Sequence, residues 1–359
     1  MSVIALSACR DEPGRGDGRR IDRPSLGSKS AAVRVVSAAE GTLLYGDTIR
    51  FYVEPVNDED SLISVKVSMA ESRRLLAEDA GGHIAIPSEQ TGGGKVRLRV
   101  DADLGEGARA LRYKEFTIKA AEAPREWSFE VLRRFPHDKT SFTQGLLVHD
   151  GYLYEGTGNK GESRIRKMEV ETGKVLMEHE MDSDMFGEGI TIFGDKLYQV
   201  TYKSAIGFIY DVEDFSKVGE WTYATYTGEG WGLTHNDTAL ILSDGSAWLY
   251  FIDPHTFAEL GRIQAFDHRG PVDRLNELEY RDGTIYANVY TSTHIVAIDA
   301  GSGLVRHLYS ARGMVDRSEI TAGMDVLNGI AFHPLSGHML ITGKYWKIIY
   351  EVRPRMKDS

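Results

Sequence analysis

Five times in the last two-thirds of the chain, a short motif opens an apolar run with one polar or aromatic residue. The copies are Gln144-Gly-Leu, Glu188-Gly-Ile, Trp231-Gly-Leu, Asn276-Glu-Leu and Asn328-Gly-Ile, spaced by 44, 43, 45 and 52 residues. After the motif comes a polar or glycine turn and a second apolar run, as in Asp150-Gly-Tyr-Leu-Tyr, Gly194-Asp-Lys-Leu-Tyr and Asp282-Gly-Thr-Ile-Tyr. A period of roughly 40–50 residues built from short strands is that of a β-propeller, one blade per repeat. The first strand of each blade lies beside the central channel, so one repeat position taken from every blade converges on one axis.

The fifth copy is followed by only three strand-like runs, 328–332, 338–342 and 347–352. The segment Ser128–Arg134, just ahead of the first repeat, supplies the missing outer strand and closes the ring with both ends of the chain, which removes exposed sheet edges. The expectation is an all-β chain whose residues 126–353 form a five-bladed propeller. Between 31 and 122, short runs with period-two alternation (Thr48 to Val53, Leu62 to Val67, Val96 to Val100, Arg112 to Ile118) read as a small immunoglobulin-like β-sandwich.

Residues 1–30 read as a leader remnant and a flexible tether, since 10–30 are rich in Gly, Pro, Ser and charge. Leu6-Ser7-Ala8-Cys9 has the spacing of a lipoprotein cleavage site, although no basic segment stands before it. Cys9 is therefore the lipidation candidate, and an exported periplasmic or cell-envelope lipoprotein, tethered to the membrane through that lipid, is the expectation. The competing reading is a disordered start with a chance cysteine. Being the single cysteine, Cys9 excludes an intrachain disulfide. A net charge of −11 argues against a nucleic-acid backbone as partner.

Chemistry at the mouth of such a ring comes from two sets of residues. The starts of the first strands give Gln144, Glu188, Trp231, Asn276 and Asn328; the ends of the second strands fall near Thr157, Tyr202, Ser243, Tyr290 and Lys344. Together they offer one acid, several amides, a lysine and aromatic rings, a set suited to hydrogen-bonding an uncharged polar group. Structural explanations compete at most of these positions. Trp231 is as well suited to packing between blades, and Asn276 and Asn328 to capping turns. A carboxylate inside a channel is harder to explain structurally, because an unpaired buried charge is costly.

Phe135-Pro-His-Asp138, Phe142-Thr-Gln-Gly-Leu146, Phe186-Gly-Glu-Gly-Ile190, Glu229-Gly-Trp-Gly-Leu233, Leu275-Asn-Glu-Leu-Glu-Tyr280 and Thr342-Gly-Lys344 together resemble the plant and bacterial glutaminyl-peptide cyclotransferases. The resemblance covers about 126–353. It implies a five-bladed propeller and conversion of an N-terminal glutamine to pyroglutamate with release of ammonia. It also implies an aminoacyltransferase-type enzyme, no organic cofactor, and peptides or proteins with N-terminal glutamine as substrates; the chain itself is expected to be a monomer. The site residues it implies are Glu188 as the catalytic proton shuttle, with Gln144, Trp231, Asn276 and Lys344 around the substrate. Tyr202 and Tyr290 stand where the plant enzymes have tryptophan. Glu277 is the rival acid.

Two other classes compete. One is a non-catalytic binding propeller serving an exported partner. The other is a metal-dependent hydrolase propeller, for which only Glu188, Asn276 and Asn328 match; no structural metal ion is predicted in the channel.

Overall fold

The computed structural model describes residues 32–37 and 42–356. Cys9 and the 1–30 segment lie outside the described residues. The described chain is almost entirely β, with one four-residue helix, Ser88–Thr91, and one 3-10 turn, Arg317–Glu319.

Two sheets make up residues 33–119. Val33–Ser37, Thr48–Pro55 and His83–Pro87 form the smaller; Thr42–Leu44, Arg109–Lys119, Gly94–Asp103, Ser64–Met69 and Leu75–Asp79 form the larger, in that order. Strict alternation drives the pairing. Gly94–Asp103 buries every second side chain, and Leu98 and Val100 meet Ile49, Val53, Val65, Val67, Ile86 and Ile118 in a core closed to solvent. Two of these strands, Thr42–Leu44 and Leu75–Asp79, were not expected from the sequence. The first has three residues and runs parallel to Arg109–Lys119. The second is an edge strand with Leu75 exposed, so neither carries the two-faced pattern that marks a strand.

From Thr143 onward the chain builds successive four-stranded antiparallel arrays. The first contains Thr143–His149, Tyr152–Thr157, Arg164–Glu169 and Val175–Glu180; the second begins with Gly187–Phe193 and ends with Lys217–Thr222. The third runs from Leu233–His235 to Glu259–Gln264, the fourth from Leu275–Arg281 to Val305–Ser310. Leu327–Phe332, Met339–Gly343 and Ile348–Met356 form the fifth, whose outer strand is Arg125–Pro136, longer than the expected 128–134. That strand also pairs in parallel with Val305–Ser310, which fuses the fourth and fifth arrays into one eight-stranded sheet.

Burial falls from the first strand of each array to the last. Gly187–Phe193 is buried nearly throughout, while Lys217–Thr222 is mostly exposed. Side-chain hydrogen bonds and backbone contacts join neighbouring arrays in cyclic order. Gln144 bonds Glu188 (3.0 Å), Gly189 N–H donates to Trp231 O (2.7 Å), and Ser243 Oγ donates to Asn276 O (2.8 Å). Gly329 N–H donates to Asn288 Oδ1 (2.9 Å), and Asn328 Nδ2 returns to Thr143 O (2.9 Å). The ring is closed.

Candidate active site

The recurring motif coincides with a recurring backbone irregularity. Strand register shifts between Thr143 and Gly145, Gly187 and Ile190, Leu275 and Leu278, and Leu327 and Ile330. In the last three, two residues of the inner strand face one of its partner, the arrangement of a β-bulge, which releases the extra residue from the ladder and re-aims its side chain. Gln144, Glu188, Asn276 and Asn328 are the residues so released. Trp231 comes just before its strand begins at Leu233.

Gln144, Glu188, Asn276, Asn328 and Lys344 are all buried to 4% exposure or less. Glu188 Oε1 accepts from Gln144 Nε2 at 3.0 Å, and Gln144 Oε1 accepts from Asn328 Nδ2 at 3.2 Å. Asn328 Nδ2 also donates to Thr143 O, which fixes its rotamer and, through it, that of Gln144. Burial pushes the Glu188 carboxyl well above the ordinary value of 4.5; Lys344 opposes this and Glu229 adds to it. Burial conversely lowers the Lys344 ammonium, against the pull of Glu188 and Asp325.

Half-buried rings stand around these groups. Lys344 Nζ lies 4.2 Å from the centre of the Phe142 ring and 5.2 Å from that of Tyr290. Tyr290 meets Trp231 edge-on at 5.3 Å, and Phe186 packs between Phe142 and Tyr202. The Trp231 indole N–H donates to Glu229 Oε2 at 2.9 Å, while Lys203 covers the Tyr202 ring at 4.7 Å. The structure thus brings Glu188, Gln144, Tyr202, Trp231, Asn276, Tyr290 and Lys344 to one end of the ring.

Sequence reasoning passed over Phe142, Phe186 and Glu229 as site residues. Each stands two positions before a motif residue, so the same repeat column would have found them. Glu277, the rival acid, is also buried and also raised well above 4.5 by burial, but it accepts from the Leu146 backbone N–H at 3.1 Å rather than from Gln144. Among the described residues, no three His, Cys, Asp or Glu side chains are grouped as metal ligands would be.

The family model described as glutamine cyclotransferase matches residues 108–354, more than half of the chain. The chain belongs to the glutamine cyclotransferase family. Glutaminyl-peptide cyclotransferase of Arabidopsis thaliana is 39% identical over 235 residues, 64% of this chain and 72% of the plant protein. The crystal structure of Myxococcus xanthus glutaminyl cyclase is 32% identical and superposes with a TM-score of 0.60, covering 66% of this chain and 100% of the bacterial one. About two-thirds of this chain thus matches the whole of the Myxococcus xanthus chain, and the family match begins at residue 108, near the end of the 33–119 sheets.

Proposed function

We propose that the chain cyclises N-terminal glutamine of peptides or proteins to pyroglutamate, with Glu188 carrying the proton between the two nitrogens. The observation that carries the reading is a fully buried acid, bonded to an oriented amide, at the aromatic mouth of the ring. The α-amine nitrogen attacks the γ-amide carbon, a C–N bond forms, the bond to the amide nitrogen breaks, and ammonia leaves. Nucleophile and electrophile sit on one residue, so proximity supplies much of the rate. The equation balances without a cofactor.

One proton must pass from the attacking amine to the departing amide nitrogen. A carboxyl raised by burial comes closer to an amine near 8 than an ordinary one does, which shrinks the mismatch in each transfer. Gln144 has its amide nitrogen committed to Glu188 and its oxygen to Asn328, so it orients the shuttle. The Lys344 ammonium, buried beside Phe142 and Tyr290, is the donor suited to the developing oxyanion. Asn276 Oδ1, buried and without a partner among the described residues, is suited to accept from the substrate amide N–H. Tyr202, Trp231 and Tyr290 wall the glutamine side chain and keep water out.

On this reading the five arrays are the blades of a five-bladed propeller, supported by the cyclic contacts of the inner strands, and the 33–119 sheets are an immunoglobulin-like sandwich. The chemistry is that of an aminoacyltransferase. Lipidation at Cys9 and export remain part of the proposal on sequence grounds alone. The deciding experiment incubates the protein with a Gln-initiated peptide and follows ammonia together with the matching mass loss. An unchanged peptide overturns the reading.

A further inference from the structure

In four of the five motif copies, glycine follows the axial residue, at Gly145, Gly189, Gly232 and Gly329; in the fourth copy that position is Glu277. The glycines stand where inner strands nearly touch. A Cβ on Gly189 would lie 2.3 Å from Leu233 N, and one on Gly232 2.0 Å from Asn276 O. Glu277 is therefore the one side chain longer than hydrogen at this level of the repeat, and it is 1% exposed. Its Oε1 accepts from the backbone N–H of Leu146 at 3.1 Å. Leu146 stands two places beyond Gln144, about 7 Å farther along the inner strand.

The second oxygen, Glu277 Oε2, has no hydrogen-bond partner among the described residues, and neither do Asn276 Oδ1, Asn288 Nδ2 and Asn328 Oδ1. These are neighbours. Asn276 and Glu277 face Asn288 across the register shift of the fourth array, and Asn288 holds the N–H of Gly329, next to Asn328. Buried polar atoms are nearly always bonded, so a group of open valences marks a place where a small polar molecule would find partners.

We propose that these four atoms bound a second polar site, beneath the glutamine pocket, that takes up the ammonia expelled from the substrate. The inference rests on the cyclotransferase reading and extends it to the leaving group. A peptide whose first residue fills the pocket covers the mouth, and the departing nitrogen begins beside Asn276. The deeper site is chemically matched to it. A Glu277 hydroxyl donates to the ammonia lone pair, and Asn276 Oδ1 and Asn328 Oδ1 accept from its N–H bonds. If the proton crosses, ammonia and carboxylic acid become ammonium and carboxylate in contact, with no net charge created. Between turnovers one water satisfies the set: two donors, Glu277 O–H and Asn288 Nδ2, and two amide oxygens. Through Asn328 and Gln144 the site lies two hydrogen bonds from Glu188.

The test compares ammonium chloride with sodium chloride at equal ionic strength, on the full chain. Two readouts are used: thermal midpoint without substrate, and initial rate at saturating Gln-peptide. Ammonium should raise the midpoint and slow turnover where sodium does neither. Glu277→Gln keeps an oxygen for the Leu146 backbone N–H but replaces the acid with an amide, and should lower ammonium sensitivity roughly tenfold, the worth of one charge-assisted hydrogen bond. Asn276→Asp should strengthen the ammonium-specific midpoint shift, which keeps the idea testable if Glu277→Gln does not fold. Coincident ammonium and sodium curves for the wild type mean that the site holds water only, and a variant set with unaltered ammonium response equally overturns the proposal. The midpoint comparison needs no turnover, so its failure is distinct from failure of the cyclotransferase reading.

Discussion

The sandwich of residues 33–119 buries almost nothing polar beyond Ser68 and Ser88, whereas the wall of the ring's channel buries Gln144, Glu188, Asn276, Glu277, Asn288, Asn328 and Lys344. Both regions are sheets with alternating side chains, and both exclude solvent equally well. What separates them is cost. A core of Val, Ile and Leu gains free energy from every atom it hides. The channel wall instead holds carboxyls raised by desolvation, Glu188 and Glu277 among them, and a lysine lowered by it. Every buried side-chain atom without a partner among the described residues belongs to the ring. Groups kept at such a cost mark where chemistry is done, and the sandwich shows none of them.

The largest effect that would sharpen this contrast is loss of activity without loss of fold. Glu188→Gln should cut kcat/KM on a Gln-peptide by about 10²–10⁴-fold, the range of general acid–base catalysis, with no fall in thermal midpoint. Near wild-type turnover would remove Glu188 from the mechanism. Lys344→Met should lower kcat by about 10²-fold or more, the usual loss for one oxyanion donor. A rise in KM alone would make Lys344 a binding group instead.

The converse substitution belongs in the sandwich. Leu98→Ala should cost about 2–5 kcal/mol of stability in chemical denaturation while leaving kcat/KM unchanged. A parallel loss of activity would mean that the two regions are coupled after all.

A subtler difference lies in pH. Burial raises Glu188 above 4.5, so the folded chain holds that proton more tightly than the unfolded chain. Its contribution to stability is complete below the unfolded value and is lost as pH climbs through the folded one. Thermal midpoints of wild type and Glu188→Gln should lie closest in acid and separate as pH rises, the variant gaining. Curves that stay parallel would contradict the buried acid. The smallest effect is expected at the rim, where Lys203 is exposed and pairs with Glu229 at 3.6 Å. Lys203→Ala should change kcat/KM by less than about fivefold, because an exposed pair is worth under about 1 kcal/mol.

Much of this organisation was legible in the sequence. The repeat of Gln144, Glu188, Trp231, Asn276 and Asn328 located the inner strands and the residues that meet at one end of the ring, because strand period and repeat period are both local properties. Phe142, Phe186 and Glu229 carried the same signal two positions upstream. Thr42–Leu44 and Leu75–Asp79 were illegible, since short or edge strands are held by neighbours rather than by their own pattern.

The amino-acid sequence by itself determined that the chain is a ring of repeats, that its axial residues differ from copy to copy, and that one copy carries Glu277 in place of glycine. Only the tertiary structure decided what those residues do to one another. That Asn328 orients Gln144, that Gln144 holds Glu188, and that Glu277 reaches Leu146 are contacts between arrays separated by 44 to 184 residues. No local pattern encodes them. They exist because ring closure sets the inner strands side by side, and because burial there makes each hydrogen bond, and each missing one, count for more than it would in water.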